Sequence, residues 1–84
     1  MTLWTIYVST FDGSDIKEVT IDSNQTFWEF RKKTAEMLNH NPNDLVLARE
    51  LEYNASYNSK KMSEVSGIFD QVTLFAIHQV LGGK

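Results

Sequence analysis

The residues best suited to chemistry stand at the end of the chain: Val80-Leu81-Gly82-Gly83-Lys84. Two consecutive residues without side chains pass through a channel too narrow for any other pair, and so can present a carboxyl group to an enzyme that activates it. By average usage a given adjacent pair is Gly-Gly at roughly 0.5%. A loose chain end of no chemical consequence is the alternative reading of these residues alone. Because Lys84 follows the pair, Gly83 would carry a free carboxyl only after cleavage.

Other reactive chemistry is sparse. The chain has no cysteine, which excludes disulfides, thiolate zinc sites and a cysteine nucleophile together. His40 and His78 stand without metal-ligand spacing, and neither a Gly-x-Ser-x-Gly elbow nor a glycine-rich phosphate loop occurs. Asp12 and Asp15 flank a turn, where carboxylates serve to cap backbone amides. No catalytic residue, metal or cofactor is therefore expected. Arg31-Lys32-Lys33 reads as the wet face of a helix rather than a nucleic-acid contact.

Length and composition set the frame for these residues. Eighty-four residues make one domain, and 42% hydrophobic content suffices for a compact core. A net charge of −3 argues against general affinity for nucleic acid or an anionic membrane. No N-terminal stretch joins a basic flank to an apolar run, so no signal peptide is expected. The nearly apolar run from 72 to 77 is far too short to span a bilayer. Cytosolic or nuclear placement fits, and the sequons Asn24-Gln25-Thr26 and Asn54-Ala55-Ser56 are read as chance. The molecule is expected to be a monomer.

The elements that must position the tail follow from periodicity. Trp4-Thr5-Ile6-Tyr7-Val8-Ser9 alternates with period two, which predicts a strand with Trp4, Ile6 and Val8 inward. Asp12-Gly13 is a hairpin turn signal, and Lys17-Glu18-Val19-Thr20-Ile21-Asp22 alternates again with Val19 and Ile21 inward. Thr26-Phe27-Trp28-Glu29 forms a capping box at a helix start. Phe27, Phe30, Thr34, Met37 and Leu38 then recur on one apolar face, with Arg31, Lys32, Lys33 and Glu36 outside. Asn39-His40-Asn41-Pro42 ends that helix.

Asp44-Leu45-Val46-Leu47-Ala48-Arg49 predicts a short strand, paired in one arrangement with Leu51-Glu52-Tyr53. Residues 54–61 read as irregular loop, and Met62, Val65, Ile68 and Phe69 as a turn-rich segment broken by Gly67. Val72-Thr73-Leu74-Phe75-Ala76-Ile77-His78 is the last strand. An α+β fold satisfies this order: a mixed sheet of four to five strands with one helix packed across it. The expected core joins Phe27, Phe30 and Leu38 to Ile6, Val8, Val19, Ile21, Leu47 and Leu74.

This arrangement resembles the ubiquitin-like, β-grasp family over nearly the whole chain. Thr73-Leu74-Phe75-Ala76-Ile77-His78-Gln79-Val80-Leu81-Gly82-Gly83 matches ubiquitin's last strand and tail without a gap, sharing Thr-Leu and Gly-Gly at the same separation. Asn41-Pro42-Asn43-Asp44 falls at the proline turn after ubiquitin's helix, Trp4-Thr5-Ile6-Tyr7-Val8 at its opening strand, and Met62-Ser63-Glu64 at a Leu-Ser-Asp. Small insertions are needed near Asp15 and Gly67. By this resemblance residues 1–79 form the domain and 80–84 a flexible tail.

The resemblance implies conjugation. In such modifiers the terminal glycine carboxyl is adenylated, carried as a thioester on enzyme cysteines and joined to a lysine amine. It implies activating and conjugating enzymes as partners, and a processing protease or adjoining self-cleaving domain to free Gly83. At the tail-recognition positions Gln79, Val80 and Leu81, ubiquitin's arginines are replaced by Gln79 and Leu81, which implies a dedicated or promiscuous activating enzyme. The positions matching ubiquitin's interaction patch are Phe11, Ala48, Phe75 and Ile77, with His78 beside them, and ubiquitin-binding domains are the implied partners. Ala48 offers less apolar area than the isoleucine it replaces, so weaker binding to such domains is expected. Lysines 17, 32, 33, 60 and 61 are candidate acceptors, and Glu52 lies near one of ubiquitin's chain-linking lysines. A non-conjugated docking domain of a larger or polyprotein precursor is the alternative, and a sulfur carrier using the same carboxyl is a third.

Overall fold

In a computed structural model, residues 2–78 are described. Strand β1 (Leu3–Ser9) and strand β2 (Ile16–Asp22) form an antiparallel hairpin. Gly13 takes φ +74° in its turn, and the Thr10 carbonyl accepts the Gly13 amide at 2.9 Å. Only glycine adopts that angle freely, which is why Asp12-Gly13 marks the reversal.

Helix α1 (Phe27–Leu38) starts at Thr26, whose hydroxyl accepts the Glu29 amide at 3.3 Å. Glu29 itself turns outward and pairs with Lys32 at 3.2 Å, so the reciprocal half of the predicted capping box gives way to an ion pair. Asn39 closes the helix at φ 56°, its amide reaching the carbonyls of Ala35 and Glu36. A short 3-10 turn (Pro42–Asp44) leads into strand β3 (Leu45–Ala48), which is followed by β4 (Glu52–Tyr53). Asp44 and Arg49, predicted within the strand, lie just outside it.

Strand β5 (Thr73–His78) completes a five-stranded sheet in the order β2-β1-β5-β3-β4. It runs parallel to β1 and antiparallel to β3, so the last strand in sequence sits at the centre. The predicted fold class, a mixed sheet with one helix across it, is the observed one.

Ile6, Val8, Val19, Ile21, Leu47 and Leu74 from the sheet meet Phe27 and Phe30 of α1 in the core, with Leu38 and Trp4 packed at its margin. Two helix assignments are corrected. Arg31, expected on the wet face, is 1% exposed, and Met37, expected on the apolar face, is 42% exposed. At 100° per residue, Arg31 falls about 40° from Phe27, between the buried Phe27 and Ala35, whereas Met37 lies in the last turn of the helix. Helical phase overrode charge.

The guanidinium of Arg31 is held without a carboxylate in its bonding set. It donates to the carbonyls of Leu45 (2.6 Å) and Pro42 (2.8 Å) and to Asn58 Oδ1 (2.8 Å), and lies 5.8 Å from the centroid of the Trp28 ring. Burial holds its pKa below the ordinary arginine value. One side chain thereby ties the helix to the entry of β3 and to the connection after β4.

That connection is more ordered than a loop. It contains 3-10 turns at Ala55–Tyr57 and Met62–Glu64, and buries Met62, Val65, Ile68 and Val72. Met62 donates to the Gln25 carbonyl and Phe27 to the Lys60 carbonyl, both at 2.8 Å, which pins the segment to the start of α1. Buried Tyr53 donates its hydroxyl to the Ser66 carbonyl at 2.6 Å. Gly67, at φ +86°, passes over that hydroxyl, where any Cβ would collide with it.

Candidate functional site

The helix covers one face of the sheet and leaves the other to solvent. Alternation sends Leu74 and Ala76 of β5 inward, so Phe75 and Ile77 point outward, and they are 53% and 39% exposed. The registers place Phe75 opposite Ser9 of β1 and Ala48 of β3, while Ser9 faces Ile16 and Ala48 faces Glu52. A single row therefore crosses the sheet: Ile16, Ser9, Phe75, Ala48, Glu52. Beside it Ile77 pairs with Val46, and on the other side Glu18, Tyr7 and Thr73 form a further row.

Size differences shape this surface. Ser9 and Ala48 are 7% and 8% exposed because each small side chain lies beside the bulk of Phe75. Ala48 therefore belongs to the floor of the apolar patch and adds almost no surface to it. Ile16, absent from the sequence-derived patch, is 56% exposed and stands across Ser9 from Phe75. Extending the period-two alternation back from Glu18 would have placed it there.

The other predicted positions are distributed differently. Phe11 is half-exposed within the hairpin turn, its ring tilted against His40 with centroids 4.9 Å apart. His78 enters through its pairing with Leu45, and its side chain lies outside the described residues. Gln79, Val80, Leu81, Gly82 and Gly83 also lie outside them. Lys17 pairs with Asp15 and Lys32 with Glu29, both at 3.2 Å, and Lys33 donates to the Thr20 carbonyl. Lys60 and Lys61 are exposed in the long connection.

The turn carboxylates act as caps. Asp12 accepts from the Ser14 amide (3.0 Å), the Ser14 hydroxyl (2.7 Å) and the Thr10 hydroxyl (3.0 Å), which together lower its pKa to about 2. Asp15 is lowered by the Ile16 amide at 2.8 Å and by Lys17. Among the described residues no cluster of three His, Cys, Asp or Glu side chains is placed to hold a metal ion. Nor is any described helix long and apolar enough to cross a membrane. The exposed face presents an apolar surface to solvent.

Helix, sheet order and the parallel β1–β5 pair together define the ubiquitin-like β-grasp fold. Solved structures share it. A chain in the crystal structure of a pParkin–pUb–UbcH7 complex superposes with a TM-score of 0.74 at 17% identity, over 92% of this chain and 23% of that one. A chain in the crystal structure of ATBAG1 in complex with HSP70 gives 0.74 at 22% identity, over 93% of this chain and 41% of that one. This chain thus spans less than half the length of either, and the likeness is one of fold. No protein-family model and no curated protein sequence matches the chain.

Proposed function

We propose that this chain is a ubiquitin-like modifier: a protein that acts by being bound through its open sheet face and by being joined, through Gly83, to amines of other proteins. The observation that supports this most is the placement of β5. The strand lies at the centre of a ubiquitin-like sheet and turns Phe75 and Ile77 to solvent, and Gly82-Gly83 follow it in sequence at the separation seen in ubiquitin. In this reading a protease or an adjoining self-cleaving domain releases Gly83. An activating enzyme then adenylates its carboxyl, a conjugating enzyme carries it as a thioester, and a target amine displaces the thiol. All of the catalytic groups belong to those partners, and the modifier supplies a thin tail and a docking face. Cytosolic or nuclear placement belongs to the same proposal.

The direct test is incubation of the 1–83 form with cell lysate and ATP. The expected result is a ladder of adducts that survive dithiothreitol and vanish with Gly83→Ala. No adduct under these conditions would sink conjugation.

A second reading is a docking module that is never conjugated. It is favoured by the two structural neighbours, in which this fold fills 23% and 41% of a longer chain held in a protein complex. A reading frame that continues past Lys84 into another domain, with no cleavage at Gly83, would select this second reading.

A further inference from the structure

Among the described residues, the outward face of the sheet carries charge of one sign only. Its side chains, by register and alternation, are Leu3, Thr5, Tyr7 and Ser9 of β1; Ile16, Glu18, Thr20 and Asp22 of β2; Val46 and Ala48 of β3; Glu52 of β4; and Thr73, Phe75 and Ile77 of β5. Glu18, Asp22 and Glu52 are acidic, and no lysine or arginine is among these residues. Several lysines and arginines elsewhere are engaged in other contacts or lie on other surfaces. Lys17 has the opposite phase on β2 and pairs with Asp15, Arg49 lies over the Phe69 ring at 5.4 Å, and Arg31, Lys32 and Lys33 belong to the helix on the far side.

Geometry limits the occupant further. Phe75 and Ile77 lie on β5, which is paired on both sides, so its backbone offers no free edge to an extended peptide there; Ile16 lies on the edge strand β2. Over β5 the sheet supplies no ladder partners to a bound segment, and a helix satisfies most of its backbone internally. Ile16 and Phe75 are two strands apart, about 9.6 Å, and Phe75 and Ile77 about 6.7 Å apart along one strand. Residues i, i+4 and i+7 of a helix extend over about 10.5 Å at a rise of about 1.5 Å per residue, enough for a helix laid across the strands to cover the row from Ile16 to Phe75.

We propose that this face docks an amphipathic helix whose apolar stripe is flanked by lysine or arginine. Phe75 is the anchor, Ile16 and Ile77 the side contacts, and Glu18 and Glu52 the acidic rim that fixes the sign of the partner. The inference rests on the docking half of the proposed function and is independent of conjugation. Rim charges of this kind govern partner choice and association rate more than total affinity.

The test uses the isotope-labelled chain and two synthetic helical peptides with the same apolar residues, one flanked by lysine and arginine and the other by glutamate. The basic peptide is expected to shift the amides of Ser9, Ile16, Phe75 and Ile77. Its affinity is expected to fall about tenfold or more with Phe75→Ala, as for a central anchor, and to weaken with added salt. The double variant Glu18→Lys/Glu52→Lys, both exposed positions, is expected to reverse the preference between the two peptides. Equal or tighter binding of the glutamate peptide at the same residues would overturn the charge assignment while leaving a docking face in place. Shifts confined to α1 would overturn the site. If neither peptide perturbs the sheet face, the docking reading fails with it.

Discussion

Leu74 and Phe75 are neighbours in one strand, yet Leu74 has no solvent-accessible surface left and Phe75 keeps 53% of its own. They sample the two faces of a single sheet. The inner face is closed by Phe27 and Phe30 of α1 and by the long connection between β4 and β5, and every large side chain there contributes to stability. The outer face has apolar residues of the same size with no described residue packed over them. Equal hydrophobicity thus serves two ends, and the phase of a period-two alternation decides which. A fold that needs only one face for its core can spend the other on recognition.

The largest expected effect breaks this comparison if it fails. Leu74→Ala should destabilise the domain by about 2–5 kcal/mol, the range for an emptied core site. Phe75→Ala should stay within about 1 kcal/mol of the parent in the same urea titration, because its ring leaves little behind. Equal losses at the two positions would show that both faces are core.

Next in size is Arg31, the charge that crosses from surface to interior. Arg31→Ala strands two carbonyls and the Asn58 amide group, at about 3 kcal/mol. Arg31→Lys should recover only part of this, because a single ammonium cannot span the forked contacts to Leu45, Pro42 and Asn58. Full rescue by lysine would show that charge alone matters there.

Gly67→Ala follows, at about 1–3 kcal/mol, since it adds a positive-φ penalty to a collision with the Tyr53 hydroxyl. Combining it with Tyr53→Phe should cost less than the sum of the two single changes, which thermal unfolding of the four proteins would read out.

The smallest effect lies in the hairpin turn. Asp12 has a folded pKa of about 2, below its ordinary 3.8, so its capping bonds favour the folded turn above about pH 4 and are lost as pH falls toward 2. Carbon-detected titration of the carboxyl should give that midpoint, and Ser14→Ala should raise it toward the ordinary value. Because the residue-14 amide and the Thr10 hydroxyl still donate in Ser14→Ala, an unchanged midpoint there would remove only the Ser14 hydroxyl as a contributor.

Much of the fold was legible because β1, β2, α1 and β5 each obey one period over six or more residues. The inward and outward phases of β5 followed from the same alternation, which is why Phe75 and Ile77 could be placed outside from sequence. Arg31 was misread for a chemical reason: its position lies in the buried stripe, but its charge argues for water, and the carbonyls that receive it come from residues 11 and 14 positions away. Met62, Val65 and Ile68 were visible as apolar residues but not as core. The 3-10 turn that begins the segment, Met62–Glu64, is held by bonds to Gln25 and Ser23, which no local pattern encodes. Ile16 escaped notice because it begins its strand, where alternation has one neighbour to lean on.

The central place of β5 has a consequence for the life of the chain before it has any partner. Ribosomes make this strand after all the others, yet it is the one that joins the β2-β1 hairpin to the β3-β4 pair. Until residues 73–78 emerge, the nascent protein holds two half-sheets with exposed edges and an apolar helix with nothing complete to cover it. Its sheet is completed through contacts far apart in sequence, which raise contact order and slow folding relative to locally paired folds. During translation the strand that will display Phe75 is first of all a closing stitch, and a chaperone that shields β1 and β3 until it appears would serve this protein well.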